Sequence, residues 1–226
     1  MTTLAELADR AQNAVSDAGA ATWSQDVIEE WCIEAIRDYS KHLPRTITDT
    51  IATSAAVQKY DLPSDFRLME SVEYPTGEDP PEYLVRRAYT DRDFWVQDGF
   101  YDVLRHRSVG DADELWISSS PAAAETITII YQGDHDFALS SATTITVPER
   151  HENILVEYVI WRAWVELLGA EQQSPTSNSS LLMSQFASNA DRAKRSYVEA
   201  LARALRSEEG DSARVQWRFD KFDRIY

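Results

Sequence analysis

The sequence predicts an α+β protein: a four-helix bundle formed by N- and C-terminal helices, a β-rich insert between helices 2 and 3, and an extended C-terminal tail. Three observations lead there. Apolar residues recur at helical spacing near both ends of the chain. Between about residues 45 and 147, short runs rich in Thr, Val, Ile and Tyr replace that spacing, broken by Gly, Pro and Asp. Aromatics continue after residue 208, where the last helical stripe has ended. The expected boundaries are residues 1–44 and 148–208 for the bundle, 45–147 for the insert and 209–226 for a docking tail.

Residues 3–17 read as a short helix with Leu4, Leu7, Ala11 and Val15 on one stripe. In TWSQDVIEEWCIEAIRDYSKHLP, Ser24 suits an N-cap and Asp26 suits the positive helix end. Trp23 and Ile28 occupy the two staple positions, and Pro44 stops the pattern. Strands are expected near residues 46–53, 56–61, 68–74, 83–87, 102–107, 114–118 and 126–132, with residues 90–96 open to a helical turn. The breaks fall at residues 75–81, 97–99 and 108–113. Helical spacing returns at Pro148 and suits a stop at Gly169. This third helix is apolar almost all round, so it is either a central core helix or is covered in part by a neighbouring subunit. Tyr158, Trp161, Trp164 and Val165 are its candidate core or intersubunit residues. A last helix over residues 181–206 pairs a narrow apolar stripe with an arginine face, and Glu199 is spaced to pair with Arg195 and Arg203.

Composition narrows function. The 226 residues are 43% hydrophobic and 11% aromatic, enough for a real core. The formal net charge of −16 opposes non-specific binding to nucleic acid. That charge is uneven: residues 1–180 hold 13 cations and 31 acids, whereas residues 181–226 hold 9 cations and 7 acids. The N-terminal stretch MTTLAELADR lacks a signal peptide's apolar block, and no apolar run nears the roughly 20 residues that span a bilayer, so no membrane partner is expected. The single cysteine, Cys32, falls among apolar helical positions and reads as a buried thiol.

Catalytic and cofactor signals are missing. His42, His106, His135 and His151 are not spaced for a metal, and Leu155 stands where a zinc-protease helix needs its second histidine. GDHDF, residues 133–137, gathers possible ligands, yet a turn after a strand explains it as well. With 7 glycines and no phosphate loop, a nucleotide cradle has little to be built from. The expectation is therefore no enzyme, no cofactor and no metal.

The tail SARVQWRFDKFDRIY mixes aromatics with cations, the preferred anchors of protein interfaces. Arg214, Val215, Trp217, Arg218, Phe219, Lys221, Phe222, Arg224, Ile225 and Tyr226 are its candidate docking residues. Val215, Trp217 and Phe219 alternate as an added strand would, while Phe219, Phe222 and Tyr226 have helical spacing. The alternative is that the tail folds back over its own bundle and covers Trp161 or Trp164.

The stretch AVQKYDLPSDFRLMESVEYP, residues 56–75, together with Trp23-Ser24-Gln25-Asp26-Val27-Ile28 and SSPAAAETITIIYQG, resembles the head-to-tail adaptor (connector, or head-completion) proteins of tailed phages. The order of elements is similar over most of the chain. The resemblance implies a virion neck protein, made in the bacterial host cytoplasm. It implies a homo-oligomeric ring, commonly dodecameric, under the portal protein. The C-terminal segment then docks on the portal, and the opposite end meets the tail or a further neck protein. On that reading Pro75, Pro81, Gly99 and Gly110 mark the tail-side loops, and DNA passes through the channel without specific binding. Two other readings stay open: another neck or tail protein, such as a tail terminator or baseplate component, and a cytoplasmic enzyme with an intersubunit site.

Overall fold

A computed structural model describes residues 2–15, 22–105, 112–121, 125–137, 140–175 and 178–222, with the backbone alone for 209–222. It contains four α-helices and two β-sheets of three and four strands. Two compact units emerge, one from Met1–Leu43 with His135–Tyr226, the other from Pro44–Asp134. Among the described residues no helix is long and apolar enough to cross a membrane.

The helical unit holds α1 (Leu4–Ala14), α2 (Gln25–His42), α3 (Glu152–Gln173) and α4 (Ser179–Phe222). Thr3 and Glu6 form a capping box: the Thr3 hydroxyl accepts from the Glu6 N–H at 3.3 Å, and the Glu6 carboxylate accepts from the Thr3 N–H at 2.8 Å. These bonds, the one from the Thr3 N–H first, hold the Glu6 carboxyl below its ordinary range. Ser24 occupies the cap position of α2 without making the side-chain bond expected of it. Trp23 instead meets Trp31 edge-on, ring centroids 5.4 Å apart. The core combines Leu4 and Leu7 of α1, Ile28, Cys32 and Ile36 of α2, Leu155 and Val159 of α3, and Tyr197 and Leu201 of α4. Burial there pushes the Cys32 thiol up to about 12, with Glu29 adding to the shift.

The α+β class stands, but the expected arrangement is corrected: this is not a four-helix bundle with a β-rich insert and an extended tail. The helices are N-terminal, central and C-terminal. α1, α2 and α3 pack on one another, while α4 packs chiefly along α3. Length is one reason. The 44 residues of α4 span about 66 Å at about 1.5 Å each, against roughly 16 Å for the 11 residues of α1. A second reason is the narrow stripe of α4. Ala190, Ala193, Tyr197, Leu201 and Ala204 are buried, which suffices for one neighbour. Gly210, within the tail expected from residue 209, lies inside α4. Gly169 likewise does not stop α3, which runs on to Gln173.

The second unit is built from β1 (Arg45–Ala52), β2 (Lys59–Asp61), β3 (Phe66–Glu73), β4 (Val85–Arg86), β5 (Phe100–Leu104), β6 (Glu114–Ile117) and β7 (Thr126–Gly133). The open segment at residues 90–96 contains a 3-10 turn, Arg92–Trp95. One sheet runs β1-β7-β3, antiparallel throughout, with β7 in the middle. The other runs β2-β6-β5-β4, its two-residue edge strand β4 parallel to β5. Strand β7 alternates strictly: Ile127, Ile129 and Tyr131 face a core shared with Val72, Leu115 and Ile117. Gly133 closes β7 where a Cβ would stand 2.6 Å from the Ile47 side chain and 3.1 Å from the Asp65 carbonyl, so close backbone approach requires glycine there.

Candidate docking surfaces

The candidate residues of α3 lie at the seam with α4. Tyr158, Trp161 and Val165 recur at the three- to four-residue spacing that gives one helix face. The Tyr158 ring meets those of Trp161 and Tyr197 edge-on, each at 5.4 Å, and Trp161 stacks on Tyr197 at 6.3 Å. The Lys194 ammonium sits 5.4 Å from the centroid of Trp161. Tyr197 donates from its hydroxyl to Asp38 of α2 at 2.6 Å. Burial, then that carboxylate, pushes the Tyr197 hydroxyl up. Burial also pulls on Asp38, but hydrogen bonds from Tyr197 and Lys41 outweigh it and hold the carboxyl below its ordinary range. Tyr158 and Trp161 therefore contribute to their own subunit's packing. All four candidates are half-buried, and Trp164 likewise packs within its own subunit, against Phe186 of α4 at 5.9 Å. α3 is thus not buried all round.

His151, at the start of α3, and His135, within GDHDF, are packing groups. His151 Nδ1 lies 2.7 Å from the Tyr39 hydroxyl, and both rings are buried. His135 bonds to the Thr146 hydroxyl at 3.1 Å and to the Leu43 carbonyl at 3.2 Å. Asp134 pairs with Arg67. GDHDF is therefore occupied by structural contacts, and no metal-holding group of His, Cys, Asp or Glu occurs among the described residues. His42 is exposed, and His106 lies outside the described residues.

Burial and then Arg150 lower the His151 pKa, with Glu208 opposing, while burial raises Tyr39. The neutral imidazole accepting from Tyr39 is the favoured state. Below the ordinary histidine pKa of about 6.5 the unfolded chain takes up a proton that the folded one resists. Stability should therefore fall as pH drops from about 6.5 through the lowered folded value. Thermal melts of His151→Phe against the natural chain should show this slope flattened in the variant. Equal slopes would mean that His151 does not set it. The Asp38 contribution falls away only at lower pH, below the ordinary aspartate range near 3.9, so the two windows separate.

The tail residues Arg214, Val215, Trp217, Arg218, Phe219, Lys221 and Phe222 fall within the backbone of α4. Helical geometry replaces the strand-like alternation. Positions 215, 219 and 222 share one side of a helix by spacing, and 214, 218 and 221 share the adjacent side. Arg224, Ile225 and Tyr226 lie outside the described residues, as does Gly110. Of the loop residues, Pro75 is half-buried just after β3, Pro81 is exposed, and Gly99 takes φ +92 in open space before β5.

Sequence reasoning missed an aromatic patch on the second unit. Trp116 meets Tyr89 at 4.6 Å and Trp95 at 5.8 Å, under the Lys59 ammonium at 4.1 Å. Tyr83, Val85, Trp95 and Val96 are each about half exposed or more. The residues DRDFWV read as a turn, but exposure of Trp95 depends on strands distant in sequence. Two cavities of about 530 and 300 Å³ also line the α3–α4 seam.

A half-exposed aromatic patch and exposed apolar side chains beside it are features of proteins that assemble with other proteins. The chain belongs to the SU10 adaptor protein family, whose model matches residues 2–218. It is accordingly a structural adaptor protein of a phage, which agrees with the resemblance carried by residues 23–28 and 56–75. No curated protein matches the chain.

Proposed function

We propose that this adaptor forms a ring at the virion neck, between the portal protein and the tail or a further neck protein, and leaves a channel for DNA. The observation that carries the reading is the family match over residues 2–218, nearly the whole chain. The charge supports it. About twelve copies of a chain with net charge −16 would surround a channel with roughly −190 formal charges, which repels phosphate and lets DNA slide. The reading involves no catalysis, cofactor or membrane.

The C-terminal part of α4 is the portal-docking element. Its positions 214–222 carry cations and aromatics on a helix that outruns the short α1 by far. Repetition around a ring makes such docking multivalent, so modest single contacts suffice. The loop around Gly99 belongs to the tail-facing end.

Removing residues 212–226 is the test. The truncated chain should keep its helical and sheet content by circular dichroism and lose attachment to DNA-filled capsids. Attachment at the natural level by a folded truncation would refute the docking role.

A further inference from the structure

The seam between α3 and α4 is not closed along its length. The cavities of about 530 and 300 Å³ meet at Glu157 and Ser196 and together make one groove. Its lining sets the apolar Ile154, Ile160, Trp164 and the small alanines of α4 among the polar Asn153, Asn189, Ser196 and Ser207. Its rims carry Arg150, Arg192 and Arg203 against the single acid Glu157. Arg150 is paired with Glu208, and the Arg203 guanidinium donates to the Glu199 carbonyl of its own helix at 3.4 Å. Arginines flanking a mixed polar and apolar groove fit a short segment that is both acidic and partly apolar, held by complementary charge.

Residues 68–85 have that composition. They hold Glu70, Glu73, Glu78, Asp79 and Glu82 and no Lys or Arg. Glu78, Asp79 and Glu82 are exposed, and so are Tyr83 at 53% and Val85 at 61%. Pro75, Pro80 and Pro81 restrict the backbone, which lowers the entropy lost when the loop is captured. The C-terminal part of α4 is the wrong occupant, because Arg214, Arg218 and Lys221 would meet arginines.

We propose that the α3–α4 groove receives the acidic proline loop, residues 76–83, of a second copy of this chain. The proposal rests on the ring reading and gives that ring its contact. Groove and loop are different patches, so the interface is head-to-tail, the kind that builds a ring when its rotation closes.

Charge reversal in the full-length chain tests it. Arg192→Glu with Arg203→Glu, and separately Glu78→Arg with Asp79→Arg, should each lower the copies assembled on capsids by roughly tenfold or more, since like charges then face each other. All four changes together should restore most of the loss. Asp79→Cys with Arg203→Cys, in a Cys32→Ser background, should give a ladder of disulfide-linked multimers in the assembled state. Assembly that ignores both pairs of reversals, with no ladder, overturns the groove contact and leaves the ring standing. Sensitivity to the groove reversal alone, without rescue, assigns the groove to a different acidic protein and overturns the second copy as occupant. A natural chain that never self-assembles, alone or on capsids, overturns the ring reading and this contact together.

Discussion

Arg10→Ala is expected to destabilise the helical unit by roughly 2–4 kcal/mol. Glu152 is buried to 2% exposure in the first turn of α3, and the Arg10 guanidinium of α1 pairs with it and also donates to Asn153 at 2.9 Å. A carboxylate taken out of water loses its hydration, and only a paired cation offsets that loss. Breaking such a pair from one side costs about 3–5 kcal/mol when both partners are buried. Arg10 remains 44% exposed, so solvent screens part of the attraction and lowers the expected cost to about 2–4 kcal/mol. Denaturant unfolding followed by far-UV ellipticity should give the cost directly. Adding Glu152→Gln to Arg10→Ala should recover part of it, because no charge is then stranded. If Arg10→Ala melts like the natural chain, the pair is not what secures α1 to α3.

That pair joins residues 142 positions apart, and nothing in either neighbourhood signals the other. The contrast with the elements themselves is instructive. α2 was legible because Ile28, Trp31, Cys32, Ala35, Ile36 and Tyr39 repeat at helical spacing and all are buried. β7 was legible because ETITIIYQ alternates. The seven expected strands have counterparts in β1–β7, although the stretch read as ending at residue 107 runs into residues outside those described. What the pattern could not supply was the partner of each stripe. The stripe of α4 shows that the helix buries one face, but not that the face meets α3 rather than closing a bundle. Gly210 misled for a local reason. One glycine costs a helix about 1 kcal/mol, which a long helix with good helix formers such as Glu208, Glu209, Ala213 and Arg214 nearby can absorb. Gly169 misled in the same way. Of the candidate surface, Tyr158, Trp161 and Trp164 were recognisable as aromatic positions on α3, but their partners on α4, Tyr197 and Phe186, were not. The groove was not legible at all, because its rims come from two helices and its acidic counterpart from a loop near residue 80.

Ile129→Ala and Ile130→Ala should differ several-fold in cost, although the residues are identical and adjacent. Ile129 is fully buried at the centre of β7, paired in register with Asp49 of β1 and Val72 of β3. Ile130 points to the other face, half-buried, between Thr48 and Ser71 in the register. Truncating Ile129 removes apolar contact on the core side and leaves a cavity that the flanking ladders cannot close, at about 2–5 kcal/mol. Truncating Ile130 removes partly wetted surface and should cost less than about 1 kcal/mol. The loss also reaches assembly. β3 is held on β7, and the acidic loop follows β3 directly, so loosening β7 frees the loop from the backbone that presents it. Ile129→Ala should therefore weaken capsid assembly at temperatures where the helical unit is still folded, while Ile130→Ala should assemble like the natural chain. Equal costs for the two would mean that the outer face of the three-stranded sheet is itself covered, and that the face taken for core is not the only one that packs.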